Sequence, residues 1–292
     1  MEHSSRWLLA WMNENDAVSV LLGREPRPGD DVTHLRRVWR EARAALMRRA
    51  PYLPSTALPS KLSGKWKKKA AEFQQRPDVI AAFHGMNWTV GMVDLRTVIS
   101  FQWVVSGQDA AQRAQSVLPD DPDSLFSFCL PEPGNEVKVA GTIDELNHAI
   151  TFSSRNPNLR VGLPVMADVH VARGAGQPAK TEKFLGFPVH FGWPFLMVAE
   201  HNGRLLLCDG YHRSYGLLRR SIHTVPCIFM KTADFSETGA TRAGLIPYKT
   251  LFGDRPPMVS DFLDESVAKG VNRAAELNLI RVTATEFVVQ LS

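Results

Sequence analysis

The pattern of apolar and polar positions predicts a defined order of elements in the second half of the chain. An apolar run at residues 204–208 leads into Asp209 and Gly210, then into an amphipathic stretch, and then into a second apolar run at residues 225–230. Short apolar runs bounded by turn residues predict strands, and Asp-Gly predicts a tight turn. The predicted order is therefore strand, turn, helix, strand. The Asn-Gly pair at residues 202–203 also predicts a hairpin that leads into the first of these strands.

Helical spacing dominates the first part of the chain. Between Val32 and Arg49 the apolar residues form one stripe, which predicts a helix with that face toward the core. The stripe consists of Leu35, Val38, Trp39, Ala42 and Leu46. A proline-rich link at residues 51–59 separates it from another predicted helix that opens at Lys61. We therefore expect a helical, basic N-terminal region at residues 1–85, followed by an α/β domain at residues 86–292.

The α/β domain is expected to contain an insertion at about residues 106–190. Within it, Thr142 and Glu145 have the spacing of a capping box, which predicts a helix over residues 142–150. Residues 163–171 end in an alternating pattern and predict a strand. Its position makes the insertion a candidate lid or substrate-selecting element. The C-terminal part is predicted to contain one helix and two closing strands, at residues 258–279, 278–282 and 286–291.

The composition is that of a soluble globular protein. Of the 292 residues, 44% are hydrophobic and 22% are charged, which is the usual balance for such proteins. No apolar run reaches the length of a membrane span, and the first residues lack a signal-peptide pattern. The three cysteines are odd in number and widely spaced, which argues against a disulfide framework. We expect a cytoplasmic protein without a membrane partner.

Basic residues are concentrated in the first part of the chain. Residues 1–76 contain 15 Lys and Arg against 8 Asp and Glu, whereas the rest contains 19 against 22. Lys65 and the run Lys67–Lys69 flank Trp66, and such a cluster can bind a phosphate backbone while the aromatic ring stacks on a base. Lysine runs on helices are more often solvated faces. DNA therefore stays an alternative partner of this region, beside a partner protein or a second copy of the chain in a homodimer.

The turn at residues 209–213 carries the most specific chemistry of the sequence. Its residues stand where a helix begins, so the positive end of the helix dipole would point at a bound ligand. Gly210 permits close approach of the backbone, and His212 and Arg213 would give an anion charge-assisted hydrogen bonds. These residues suit a phosphate or another anion. In the plainer alternative, Asp209 caps the helix and the two basic side chains are solvated.

The turn with its flanking strands resembles the ParB/sulfiredoxin superfamily, and it is closest to the branch with an Asp-Gly-x-His-Arg motif. The segment Val93–Gln102 is similar to the opening strand and turn of that superfamily, although this segment is less specific than the turn. The resemblance implies a ParB/sulfiredoxin-like mixed α/β domain whose turn binds the phosphates of a nucleotide. The nucleotides that it implies are ATP, ADP or CTP, with magnesium as a companion ion.

The resemblance also implies roles for individual residues. Asp209 and His212 are the candidate catalytic residues, and Asp209 is the candidate magnesium ligand. The implied nucleotide-binding residues are Gly210, Tyr211, Arg213, Ser214 and Gln102. Tyr211 replaces the catalytic cysteine of sulfiredoxins, so sulfinic acid reduction is not expected. Gln102 replaces the Glu of the free-serine kinases, and an amide cannot act as a general base.

The leading functional hypothesis is nucleotide-phosphate binding with phosphoryl transfer or NTP hydrolysis. Two alternatives stay open: a non-enzymatic DNA-associated module of the ParB type, and a ParB-like nuclease. The sequence lacks a clear carboxylate cluster for two metal ions, which a nuclease commonly uses. It also lacks a Gly-x-Ser-x-Gly elbow and a Walker-type phosphate loop, and this excludes two common classes of enzyme.

Overall fold

The chain divides into two units of different size. The computed structural model describes residues 2–23, 31–53, 60, 62, 64–118, 121–132, 140–154, 159–162, 164–171, 180–191, 195–274 and 278–283. Unit 1 comprises residues 1–134 and 194–275, and unit 2 comprises residues 135–193 and 276–292. The described elements are mixed α/β, as the sequence predicts. The boundary that the sequence suggests at residue 85 lies inside unit 1.

The helices that the structure describes all belong to unit 1. They are α1 (Glu14–Leu22), α2 (Val32–Arg48), α3 (Lys65–Gln74), α4 (Pro77–Ala82), α5 (Gly107–Ala114), α6 (Pro122–Cys129), α7 (Tyr211–Arg219) and α8 (Tyr248–Leu251). Four short 3-10 helices lie at Leu9–Trp11, Leu95–Thr97, Phe235–Thr238 and Val259–Leu263.

Unit 1 contains two sheets. Their strands are β1 (Glu2–Trp7), β2 (Trp88–Asp94), β3 (Ile99–Ser100), β4 (Val104–Ser106), β11 (Met197–His201), β12 (Arg204–Asp209), β13 (Thr224–Lys231) and β14 (Lys269–Ala274). The central sheet has the order β2-β13-β11-β12-β3, and the smaller sheet has the order β14-β1-β4. In the central sheet β12 runs parallel to β3 and antiparallel to β11.

Unit 2 is built from strands and turns in its described part. The strands are β5 (Ala140–Asp144), β6 (Ala149–Ser154), β7 (Leu159–Val161), β8 (Val165–Val171), β9 (Lys180–Gly186), β10 (Val189–Phe191) and β15 (Asn278–Thr283). They form the three-stranded sheet β15-β6-β5 and the antiparallel pairs β10-β7 and β8-β9. The strands predicted at residues 163–171 and 278–282 are thereby confirmed, whereas the strand predicted at 286–291 lies outside the described residues.

The predicted strand, turn, helix and strand are confirmed as β12, α7 and β13. The predicted hairpin joins β11 to β12, where Asn202 and Gly203 have φ values of 49° and 75°. Left-handed φ values at Asn-Gly are those of a tight hairpin turn. The middle of β12 is buried at Leu205, Leu206 and Leu207, so the strand is held in the core of unit 1.

The helix predicted from Val32 is also confirmed. Its N-terminus is capped by Asp31, whose side chain accepts a hydrogen bond from the backbone N–H of Thr33 at 2.8 Å. Ala42 and Leu46 of the predicted stripe are buried. The helix predicted from Lys61 begins at Lys65. Strand β1, which the sequence reasoning did not predict, pairs along six residues with β14 and thus joins distant parts of unit 1.

The helix predicted at residues 142–150 is wrong, because this segment forms strand β5, a turn and the start of β6. The side chain of Asp144 accepts a hydrogen bond from the backbone N–H of Asn147 at 3.2 Å, which stabilises the turn. Ile143 and Leu146 are 73% and 92% exposed. The bond at Asp144 and the antiparallel pairing of β5 with β6 therefore fix this segment as a hairpin.

The helix predicted at residues 258–279 is also wrong. The segment contains one short 3-10 helix, a turn and strand β14. The Asp261 side chain accepts from the backbone N–H of Met258 at 2.7 Å, and that of Asp264 accepts from Ser266 at 2.8 Å. Such local bonds from side chain to backbone compete with helix continuation. Pairing of the following residues with β1 then fixes them as a strand.

Candidate functional site

The turn between β12 and α7 requires glycine at position 210. Gly210 has φ 92° and ψ 20°, which is the left-handed region. A Cβ atom there would lie 3.0 Å from the Cα atom of Leu196. The Leu196 backbone is fixed, since its N–H donates to the carbonyl of Cys129 and its carbonyl accepts from Ile228, both at 2.9 Å. Only a residue without a side chain fits both this conformation and this space.

The first turn of α7 is basic. It contains no acidic residue, and its N-cap, Gly210, offers no side-chain cap. Helices α1, α2 and α6 begin at the capping side chains of Asn13, Asp31 and Asp121, whereas α3, α4, α5 and α8 also have no side-chain cap. Basic side chains are unfavourable at the positive end of a helix dipole. The two that lie here, His212 and Arg213, are side chains of the kind that donate charge-assisted hydrogen bonds to an anion.

His212 and Arg213 are both half-buried. The positive charge of Arg213 reaches the thiol of Cys129, where it lowers the pKa, although burial dominates and raises the pKa of Cys129 to about 12. A charge that is partly removed from solvent acts more strongly on its neighbours than an exposed charge does. Arg213 is thus placed to act on an anion with less screening than a fully exposed arginine.

Asp209 closes strand β12 directly before the glycine. One of its carboxylate oxygens, Oδ1, accepts a hydrogen bond from the backbone N–H of Gly210 at 2.5 Å. This bond holds the carboxylate beside the turn. Asp209 is half-buried, and its negative charge contributes, after burial, to raising the pKa of the Cys208 thiol to about 12.

The side chain of Tyr211 supports the turn from within the core. It is 2% exposed. Its hydroxyl donates to the carbonyl of Leu207 and accepts from the backbone N–H of Phe101 at 3.1 Å. Burial raises the pKa of Tyr211 well above its usual range, so the phenol stays neutral. Tyr211 thereby fixes the start of α7 to both β12 and the residue after β3.

Ser214 lies one turn into α7 and is fully buried. Its backbone N–H donates to the carbonyl of Gly210 at 2.8 Å, which is the first bond of the helix. Its hydroxyl has no hydrogen-bond partner among the described residues. A buried hydroxyl without a partner carries a free-energy cost, so the Ser214 hydroxyl destabilises the folded state.

Gln102 lies at the same edge of the sheet as the turn. β3 and β12 are parallel, with Ser100 opposite Leu207. Gln102 lies two residues after Ser100, and Asp209 lies two residues after Leu207. The hydrogen bond from the Phe101 N–H to the Tyr211 hydroxyl joins the C-terminal ends of the two strands. The Ser100 hydroxyl donates to the Gln102 carbonyl at 2.9 Å, and the Gln102 side chain is half-buried. The fold therefore gathers the predicted site residues at one end of two neighbouring strands.

A preformed metal centre is not part of this arrangement. Within the described ranges, no group of three His, Cys, Asp or Glu side chains could hold a metal ion.

The basic cluster around Trp66 is partly engaged in packing and ion pairs. The Trp66 ring packs against Phe126, with 6.2 Å between the ring centroids. Lys68 lies 3.9 Å from Glu72, and Lys69 lies 3.2 Å from Asp123. Contact of this cluster with DNA stays a prediction.

The local sequence does not predict that two residues, Leu196 and Cys129, lie next to the site. The backbone of Leu196 lies beneath Gly210, and Cys129 lies within the field of Arg213. Leu196 follows Gly192 and Pro194, residue types typical of turns that do not indicate a contact with residue 210, and Cys129 ends a helix far away along the chain. For Leu196, the only signal in the sequence is the apolar run that precedes the hairpin.

No helix in the part of the chain that the structure describes has the length and hydropathy needed to cross a membrane. Comparison of the chain with protein-family models, with curated proteins and with solved structures found no match.

Proposed function

We propose that the chain binds a nucleotide through its phosphates at the turn Asp209–Ser214 and transfers or hydrolyses a phosphoryl group there. The observation that carries the proposal is the first turn of α7. It follows a left-handed glycine, has no cap and no acidic residue, and contains His212 and Arg213. A phosphate here would accept hydrogen bonds from backbone N–H groups at the start of the helix and charge-assisted bonds from the two basic side chains.

The residues have distinct roles in this proposal. Arg213 and His212 neutralise phosphate oxygens, and Gly210 lets the backbone approach them closely. Asp209 orients a substrate hydroxyl or holds the magnesium that enters with the nucleotide. Phosphoryl transfer depends mainly on positioning and on neutralising charge at the phosphate, and these groups could supply both.

The resemblance of Asp209–Arg213 and its flanks to the ParB/sulfiredoxin superfamily supports a nucleotide rather than a simple anion. Gln102 and Asp209 lie at the ends of two parallel strands. This placement supports the resemblance, because the segment Val93–Gln102 is also similar to that superfamily. A general base is not identified among these residues.

The activity is tested by two measurements on the intact chain. Calorimetric titration with ATP, ADP, CTP and GTP, each with and without magnesium, identifies the bound nucleotide. Release or transfer of phosphate is then measured for the wild type and for Asp209→Asn. We expect the variant to bind the magnesium-free nucleotide as the wild type does, and to lose turnover by about 100-fold or more.

Three outcomes would contradict the proposal or its parts. Absence of binding to all four nucleotides by the folded protein would contradict nucleotide binding. Turnover that survives Asp209→Asn would contradict the role of this carboxylate. Salt-sensitive binding of duplex DNA that is lost when Lys65 and Lys67–Lys69 are neutralised, without any nucleotide binding, would favour the DNA-associated alternative.

A further inference from the structure

A second concave site lies in unit 1, away from the turn. It is a cleft of about 570 Å³ that is lined by the segment leading into α1, by residues of α2, and by α8 with the residues that follow it. This volume lies within the range of about 300–1,000 Å³ that is usual for small-molecule sites. None of its lining residues belongs to the turn Asp209–Ser214.

The apolar wall of the cleft contains two tryptophans. Trp11 donates its indole N–H to the carbonyl of Arg255 at 2.7 Å, and Trp39 donates its indole N–H to the carbonyl of Met12 at 3.1 Å. The polar atom of each ring is therefore already bonded within the protein. Trp11 is 8% exposed and the Arg49 guanidinium lies 5.7 Å from the centre of its ring, so the half-buried Trp39 ring offers most of the flat apolar surface, which favours an aromatic partner.

The charged residues that line the cleft have a net positive charge. Arg43 donates to the carbonyl of Ala10 at 3.0 Å, and Arg255 donates to the carbonyl of Arg49 at 2.8 Å. These bonds orient the two guanidinium groups but leave their charge in place, because a carbonyl is neutral.

Lys249 adds a third cation to the lining. The carboxylate of Glu14 is shared by Arg36 and Arg40, at 3.4 and 3.6 Å, so it does not neutralise the cleft. Asp254 is the remaining acidic residue in the lining. Among the described residues, Arg43, Lys249 and Arg255 form no ion pair with a carboxylate, so the cleft favours an anion.

We propose that this cleft binds a small aromatic carboxylate. The flat body of the ligand lies against the tryptophan wall, and its carboxylate faces Lys249 and the two oriented guanidinium groups. The site is independent of the proposed nucleotide site, because a ligand in the cleft contacts none of the residues of the turn.

The probe is 1-naphthaleneacetate, titrated by calorimetry into the intact chain. Two substitutions at exposed positions test the cleft without disturbing the core. Lys249→Gln removes one cation, and the matched control Lys67→Gln removes an exposed lysine outside the cleft. Met47→Glu places a negative charge on the wall, and the control Met86→Glu does so elsewhere, since these methionines are 54% and 57% exposed.

We expect 1-naphthaleneacetate to bind, Lys249→Gln to weaken binding about fivefold, and Met47→Glu to weaken it about tenfold or more. The two controls should bind as the wild type does. The neutral amide, 1-naphthaleneacetamide, should bind at least about fivefold more weakly, and acetate should not bind measurably.

Absence of binding would overturn the proposal. Binding that neither Lys249→Gln nor Met47→Glu weakens would place the ligand elsewhere and would also overturn it. Equal binding of the acid and the amide would overturn the choice of an anion. Arg213→Ala should leave the binding of this probe unchanged, and a loss in that variant would show that the two sites are not independent.

Discussion

At the scale of single residues, Gly210 is the position on which the geometry of the turn depends. We predict that Gly210→Ala lowers the free energy of unfolding by about 2–4 kcal/mol, because the backbone is left-handed and the new Cβ overlaps Leu196. Urea denaturation measures the change. Gly203→Ala is the control: its φ is also positive, at 75°, but a Cβ there meets nothing within 4 Å. It should cost only about 1–2 kcal/mol. Equal losses would contradict the close packing at Leu196.

The Tyr211 hydroxyl gives a second prediction. Tyr211→Phe should lower the free energy of unfolding by about 1–3 kcal/mol, since it removes a partner of Phe101 N–H and of the Leu207 carbonyl inside the core. Tyr248→Phe is the control, because Tyr248 is 46% exposed and forms no described hydrogen bond through its hydroxyl. If the two substitutions had the same effect in urea denaturation, the bridging role of Tyr211 would be wrong.

The sequence could predict Gly210, His212 and Arg213 as a group because they are adjacent along the chain. Their supporting partners could not be predicted in the same way. The contact of Gly210 with Leu196 and the bond of Tyr211 with Phe101 join residues that are far apart in sequence. The resemblance implies a nucleotide-binding role for Tyr211, and the side chain of this residue lies in the core, 2% exposed.

At the scale of elements, Arg76 joins α3 to α4 and to the end of α6. Its guanidinium forms two bonds with the Asp78 carboxylate, at 3.1 and 2.7 Å, and donates to the Pro131 carbonyl at 3.0 Å. It also lies 4.9 Å from the centre of the Phe73 ring. Planar arginine can make all of these contacts at once, which lysine cannot.

This ion pair predicts a dependence of stability on pH. The hydrogen bonds from Arg76 lower the pKa of Asp78 below its ordinary value of 3.8. A carboxyl group whose pKa is lowered by folding stabilises the folded state fully above its ordinary pKa, and this contribution is lost as the pH falls through the lowered value. Asp78→Asn should therefore be less stable than the wild type at pH 6, and the difference should shrink below about pH 4.

The measurement is the free energy of unfolding of both proteins across that range of pH. Glu237→Gln is the control, because Glu237 is exposed and has no ion pair among the described residues. A difference between Asp78→Asn and the wild type that stays constant down to pH 2 would contradict the account.

Elements with a strong local pattern were predictable, and elements fixed by distant pairing were not. Helix α2 has its apolar stripe and its Asp31 cap within one segment, so its sequence alone indicates it. Strand β14 is set by its pairing with β1, more than 260 residues earlier, as in the bond of Ser5 Oγ with the Val271 carbonyl. A helical spacing of apolar residues before β14 could not reveal that partner.

At the scale of the whole molecule, the two units should differ in local stability. The central sheet of unit 1 has buried strands, whereas β8 and β9 in unit 2 form a two-stranded pair with Met166 and Leu185 opposite each other and 74% and 64% exposed. Two-stranded pairs are marginally stable. We predict that amides in β8 and β9 exchange with solvent at least about 100-fold faster than those in β11, β12 and β13. Equal protection in hydrogen-exchange mass spectrometry would contradict this.

The binding of phosphate at the start of α7 determines how the whole molecule would work, and a comparison of two arginines of that helix tests it. The nucleotide that binds the wild type most tightly is titrated into Arg213→Ala and into Arg219→Ala, which removes an exposed arginine from the last turn of the same helix. The account predicts that Arg213→Ala weakens binding about tenfold or more, since a charge-assisted bond contributes about 1.5–3 kcal/mol, and that Arg219→Ala binds as the wild type does. Equal affinity of the two folded variants would contradict the placement of the phosphate at the start of α7.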